Sequence, residues 1–153
     1  MIKINLLKSY FDALAPRVQA TQCIFVRNET ELAQKIKSIA GGELFLVVVI
    51  PSSDTTARNH DNILEKETII LYALKKVAHR NQDDNDVITD MIQTQDCITA
   101  VKDALLDDAG DCDAFMHEYI NRIGFNSLHT DPEYNYLECD GYSLSFVLTS
   151  PGF

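Results

Sequence analysis

Basic residues are scarce in this chain: 13 Lys and Arg stand against 23 Asp and Glu, a net charge of −10 over 153 residues. A surface with that bias repels DNA, RNA and anionic lipid at long range, which argues against a protein that grips nucleic acid or a membrane surface. Long apolar runs are missing as well. The greasiest stretch, LFLVVVI from Leu44 to Ile50, falls far short of the roughly 18 residues that cross a bilayer. The opening MIKINLLKSYFDALAP has a single Lys3 ahead of an apolar segment that Lys8 and Asp12 interrupt. It reads as an amphipathic helix of the mature protein and not as a secretory signal.

Close cysteine pairs are absent too. Cys23, Cys97, Cys112 and Cys139 form no Cys-x-x-Cys unit, so the sequence predicts reduced thiols in a cytosolic protein and neither a zinc site nor a disulfide framework. The histidines are His60, His79, His117 and His129, and His117-Glu118 lacks the second histidine of a zincin helix. A nucleophile assembled from Cys112 or Cys139 with His129 and Asp131 would need the fold to bring them together. The acidic clusters Asp83–Asp86 and Asp107–Asp113 lack the glycine and terminal glutamate of a calcium loop. Gly41-Gly42 precedes a strand instead of opening a helix, and no Gly-x-Ser-x-Gly elbow occurs. Lys75-Lys76 reads as a solvated strand end. The expectation is a non-enzymatic protein with no catalytic residue, metal or cofactor.

What is present is patterning. Ile2, Leu6, Leu7, Tyr10, Phe11 and Leu14 mark a first helix that Pro16 ends. Gln22 to Val26 is a short β-rich run. Asn28 and Glu31 cap a second helix with Leu32, Ile36 and Ile39 inward, and Gly41-Gly42 offers its left-handed exit. Three consecutive valines make Leu44 to Ile50 a strand covered on both faces, closed by Pro51. Pro51 to Asn62 is polar throughout and reads as a mobile loop.

Glu65 to Val77 alternates as a long strand, with helix as the competing reading. Ile70, Tyr72 and Leu74 share one of its faces, and Ile69, Leu71 and Ala73 share the other. From Asp83 to Ala109 a long helix carries one stripe of Val87, Ile88, Met91, Ile92, Ile98, Val101, Leu105 and Leu106, and a short helix over Asp113 to Ile123 follows. Asp140-Gly141 signals a two-residue hairpin turn that sets Cys139 opposite Tyr142 and Leu137 opposite Leu144. Leu137, Cys139, Tyr142, Leu144 and Phe146 would then share an apolar face, and Tyr134, Tyr136, Glu138, Ser143, Ser145 and Thr149 the other. The sum is a single α+β domain, 1–153, with a mainly antiparallel sheet, helices packed on one face and a C-terminal β-hairpin.

That order of elements, with Leu44 to Ile50 upstream and Asp140, Gly141, Tyr142, Ser143, Leu144, Ser145 and Phe146 in the final hairpin, resembles the phage tail terminator and tail-completion proteins. The resemblance implies a non-catalytic structural component of a tail or neck. Its partners would be further copies of itself in a ring and other tail or neck proteins, in the host cytoplasm or in the virion. On that reading Ser52, Ser53, Asp54, Thr55, Thr56, Arg58 and Asn59 form an assembly loop. The alternatives are a small ligand-binding or regulatory α+β domain, and an enzyme with a dispersed site.

Overall fold

The computed structural model describes residues 2–57, 63–77, 82–113, 119 and 122–151. The helices among them end where local chemistry stops them. α1 spans Ile4–Arg17, carrying Pro16 within its last turn, and closes with Gln19 in the left-handed region (φ 63°). The Ala20 N–H then reaches back to the Ala15 carbonyl, which satisfies one of the carbonyls orphaned at the helix end. α2 spans Glu29–Ile36; the Asn28 side chain accepts from the Glu31 N–H, as the sequence predicts. The Glu31 carboxylate returns its bond one residue earlier than expected, to the Arg27 N–H at 2.9 Å. α3 spans Asp84–Gly110 behind a reciprocal capping box of Asp83 and Asp86. The expected short helix over Asp113 to Ile123 lies for the most part outside the described residues.

Five strands form one sheet: β1 (Cys23–Val26), β2 (Leu44–Ala57), β3 (Ile63–Lys76), β4 (His129–Tyr136) and β5 (Cys139–Pro151), in the order β1-β2-β3-β5-β4. β1 lies parallel to β2 with α2 between them in sequence, and every other pairing is antiparallel. This is the α+β architecture the sequence predicts, closed at one edge by the β4–β5 pair.

The two faces of the sheet carry separate cores. Leu46 and Val48 of β2, Ile69, Leu71 and Ala73 of β3, and Leu144, Phe146 and Leu148 of β5 pack beneath α1 and α3. Phe45 and Val47, together with Leu74 and Cys139, pack beneath Leu32 and Ile36 of α2. The valine run is therefore buried on both sides, as its composition demands. The alternation of β3 falls on the two faces as predicted. The expectation of helices on one face holds for α1 and α3 and is corrected for α2, which covers the other.

Three further expectations are corrected. Pro51 does not end β2: the ladder with β3 shifts register between Val49 and Ser52 and then runs on to Ala57. Such an irregularity absorbs the residue that has no N–H to donate. The hairpin turn is at Leu137-Glu138, not at Asp140-Gly141. Both turn residues are left-handed (φ 51° and 65°), and Tyr136 pairs with Cys139. Cys139 consequently falls on the α2 face, opposite to Leu144 and Phe146. Asp140 and Gly141 are strand residues. The Asp140 carboxylate accepts the Asn135 N–H at 2.8 Å, within the bulge that separates Glu133 from Tyr136 in the β4–β5 ladder.

The third correction concerns α3. Ile98, Val101 and Leu105 are buried as expected, but in the first half the inward positions are Asp90, Thr94 and Cys97, while Ile88, Ile92 and Leu106 face solvent. A buried ion pair takes the place of the missing apolar contacts. Lys75 Nζ lies 2.7 Å from the Asp90 carboxylate and donates to Gln93 Oε1 at 2.6 Å. Its neighbour Lys76 donates to the Ile36 and Ile39 carbonyls at the end of α2. Neither lysine is the solvated strand end the sequence suggests.

Candidate functional site

Of the expected assembly residues, Ser52, Ser53, Asp54, Thr55 and Thr56 are strand and not loop. They pair in order with Thr68, Glu67, Lys66, Glu65 and Leu64 of β3. Arg58 and Asn59 lie outside the described residues. β5 flanks the same stretch of β3 from Val147 to Pro151, so the segment belongs to a three-stranded ribbon that continues the sheet past its apolar cores. The polar composition that reads as a loop is that of a ribbon with one open face: Ser52, Asp54, Thr56, Lys66 and Thr68 are all exposed, and Leu64 is 44% exposed.

The ribbon's other face is polar and closed near the cores, with Thr55 and Ala57 exposed at its far end. Glu65 and Glu67 are buried, Ser150 lies beside Glu65, and Ser53 beside Glu67. The Ile2 N–H donates to Glu67 Oε1 at 2.6 Å, tying the start of α1's approach to the ribbon. Carboxylates in such a place need hydrogen bonds to offset their desolvation. Periodicity could not have revealed them, because Glu65 and Glu67 alternate with Leu64, Lys66 and Thr68 as an ordinary half-exposed strand would.

The β4 and β1 edges of the sheet are guarded, but β1 pairs only with Leu46–Val49, so among the described residues the outer edge of β2 from Ser52 to Ala57 has no strand beside it. β4 carries Pro132 and the left-handed Asn135, and β1 is four residues long with its Phe25 carbonyl taken by Lys35 Nζ at 2.6 Å. Both devices discourage annealing of another strand. The ribbon thus offers both an open face and, along Ser52 to Ala57, a bare strand edge.

No acid–base or nucleophilic constellation forms among the described residues. His60, His79 and His117 lie outside them. His129 is exposed on β4, with its Nε2 2.9 Å from the Asp131 carboxylate. It pairs with Ser145 of β5, six positions from Cys139 and so about 20 Å along the strand. Burial pushes the Cys97 thiol up to about 11, and burial likewise pushes the Cys23 and Cys139 thiols up to about 12, so all three stay protonated and weakly nucleophilic at neutral pH. Cys112 alone is exposed. Iodoacetamide should label about one thiol per native chain and four after denaturation; rapid labelling of Cys139 in the native protein would overturn this account. Among the described residues no group of three or more His, Cys, Asp or Glu side chains is placed to hold a metal ion.

A cleft of about 340 Å³ opens between the end of α1 and the middle of α3, lined by Arg17, Gln19, Leu44, Gln93, Asp96 and Cys97 among others. Two of its four polar side chains, Arg17 and Gln93, are committed elsewhere. The Arg17 guanidinium grips both oxygens of Asp108 at 2.9 and 3.1 Å, and the Tyr10 hydroxyl donates to the same carboxylate at 2.7 Å. Burial raises the Asp108 carboxyl, but the bonds from Arg17 and Tyr10 outweigh it and hold it below the ordinary range. Gln93 is engaged by Lys75. That leaves Gln19 and Asp96 as the polar side chains it presents to a ligand.

Comparison with models of known protein families and with curated proteins finds no match to this chain. No described helix is long and apolar enough to cross a membrane.

Proposed function

We propose that the protein is a non-enzymatic structural component of a phage or prophage tail or neck, which assembles with copies of itself into a ring that terminates or joins the tail tube. One observation carries the reading: the ribbon of β2, β3 and β5 runs beyond the cores and keeps one face open, at the residues where the family resemblance sets an assembly element. A contact between this face and a different surface of the next copy is heterologous, the kind that closes into a ring. The acidic surface supports the same reading, since a ring through which DNA passes must not hold phosphates. In this setting the protein is cytoplasmic in the host or built into the virion, with other tail or neck proteins above and below it.

Light scattering on the purified 17.2 kDa chain tests the proposal. The expected mass is several times that of the monomer, reached as concentration rises. Thr56→Arg with Thr68→Arg, on the open face, should weaken association by about tenfold or more while leaving the melting temperature unchanged. Capsid, portal or tail-tube genes are expected beside its own. A chain that stays monomeric at near-millimolar concentration, and also in the presence of purified tail tubes, ends the reading.

A second reading, a small ligand-binding domain, is favoured by the cleft between α1 and α3. It is the weaker one, because Arg17 and Gln93 already have partners within the chain.

A further inference from the structure

The helix α3 is built with two apolar stripes, and the fold uses only one. Ile98, Val101 and Leu105 lie on the buried side. About half a turn away, Ile88 and Ile92 stand 60% and 51% exposed at i, i+4 spacing, and Leu106 is 47% exposed on the same line four turns on. Ile88 and Ile92 form an aliphatic pair that the described residues leave uncovered, with Leu106 about 21 Å further along the same face beyond Gln95, Thr99 and Lys102.

The charges beside this stripe say what that molecule is. α3 carries seven aspartates and a single lysine. Asp90 and Asp108 are consumed by Lys75 and Arg17. Asp96, Asp103 and Asp107 are exposed at i, i+7 and i+11, forming a ridge next to the aliphatic line, and among the described residues no cation pairs with them. These charges work against the helix. Asp103 and Asp107 repel at i, i+4, and Asp107 and Asp108 sit in the last turn where the dipole disfavours anions, with Arg17 paired to Asp108 alone. A feature that opposes local stability and serves no contact within the fold is expected where function demands it.

We infer that the outer face of α3 is the docking surface for a basic, amphipathic segment of a different protein, which covers Ile88, Ile92 and Leu106 with aliphatic side chains and sets Lys or Arg against Asp96, Asp103 and Asp107. Nucleic acid and anionic lipid carry the wrong charge. A second copy of this chain is a poor complement, because its net charge of −10 repels an acidic ridge. Aliphatic anchors with a charged rim are how helical faces recognise peptides. The contact is separate from the ribbon and stands whether or not the ring forms.

The probe is a synthetic helical peptide with leucine and lysine at 3.6-residue spacing, titrated into the full-length chain by calorimetry. Binding at one peptide per chain is expected, weakening steeply between low and physiological salt. Ile88→Gln with Ile92→Gln should weaken it about tenfold or more, and so should Asp96→Asn with Asp103→Asn and Asp107→Asn. Asp54→Asn, on the ribbon, should leave it unchanged. All these side chains are exposed, so the variants should melt like the parent, and the triple Asn variant should melt slightly higher. Equal affinity across the variants, or no binding by the parent, overturns the inference. So does a fall in light-scattering mass caused by Ile88→Gln and Ile92→Gln, because that would make the face a contact between copies. A parent that stays monomeric even with purified tail tubes, yet binds the peptide on this face, would sink the ring and leave the docking surface standing.

Discussion

Gly141→Ala should destabilise the protein by about 3 kcal/mol, a large share of the 5–15 kcal/mol typical of a domain, and lower its melting temperature by about 10 °C. Gly141 lies in β5 opposite Leu74 of β3 and Glu133 of β4, so it is hydrogen-bonded territory on both sides. A Cβ built there comes within 2.0 Å of the Ala73 carbonyl oxygen, and 3.0 Å of the Ala73 carbonyl carbon and the Leu74 Cα. All three are backbone atoms, so no side chain can rotate away. Relief requires β3 and β5 to separate, and β3 supports both cores through Ala73 and Leu74. The control is Gly110→Ala at the end of α3, where an added Cβ meets nothing within 4 Å. That change should be neutral or stabilise by up to about 1 kcal/mol. Thermal melts of the two variants side by side decide the matter. If Gly141→Ala melts with the parent, the close approach of β5 to β3 is not real.

The same glycine explains where the sequence misled. Asp140-Gly141 is the strongest two-residue turn signal in the last third of the chain, and read locally it places the hairpin there. Tertiary packing assigns both residues other work. Gly141 is needed because a β3 carbonyl fills the space of a side chain, and Asp140 because its carboxylate satisfies the Asn135 N–H in the β4 bulge. The turn passes to Leu137-Glu138, which adopt left-handed conformations at a cost of about 1 kcal/mol each. Nothing local announces that choice. The shift of the turn by three residues puts Cys139 in β5, five residues before Leu144, and an odd separation within one strand sets the two on opposite faces.

Where one physical rule acted alone, the residues were legible. The three valines could only be a doubly covered strand, Asn28 with Glu31 could only open a helix, and the alternation of Ile69 to Leu74 fixed both faces of β3. Legibility failed where polar groups act in pairs across the fold. Ser52 to Thr56 look like a loop because their hydrogen bonds go to a strand whose outer residues are also polar. The segment expected as an assembly loop is thus, over Ser52 to Thr56, part of a strand. Asp90 and Thr94 break the apolar count on the side of α3 that is buried, so counting picks out the exposed stripe instead.

Asp90→Ala should cost about 3–5 kcal/mol, because it strands a buried ammonium. The Asp90 side chain is 8% exposed and that of Lys75 is 16% exposed, with 2.7 Å between charges. Gln82 Nε2 donates to the second Asp90 oxygen at 2.8 Å, and Gln93 takes a further Lys75 proton. After Asp90→Ala only Gln93 would remain among these partners, and an amide oxygen does not replace a carboxylate. Replacing both charges, Lys75→Met with Asp90→Leu, should recover most of the loss and could exceed the parent, since two apolar side chains of similar size avoid the desolvation altogether. Urea denaturation of the four members of this cycle gives the coupling directly. A large coupling would mean that the pair, and not apolar area, orients the first half of α3, which is why Ile88 and Ile92 are left outside for another molecule to cover. If Asp90→Ala unfolds with the parent, the ion pair does not set the rotation of the helix, and the outward stripe loses its structural cause.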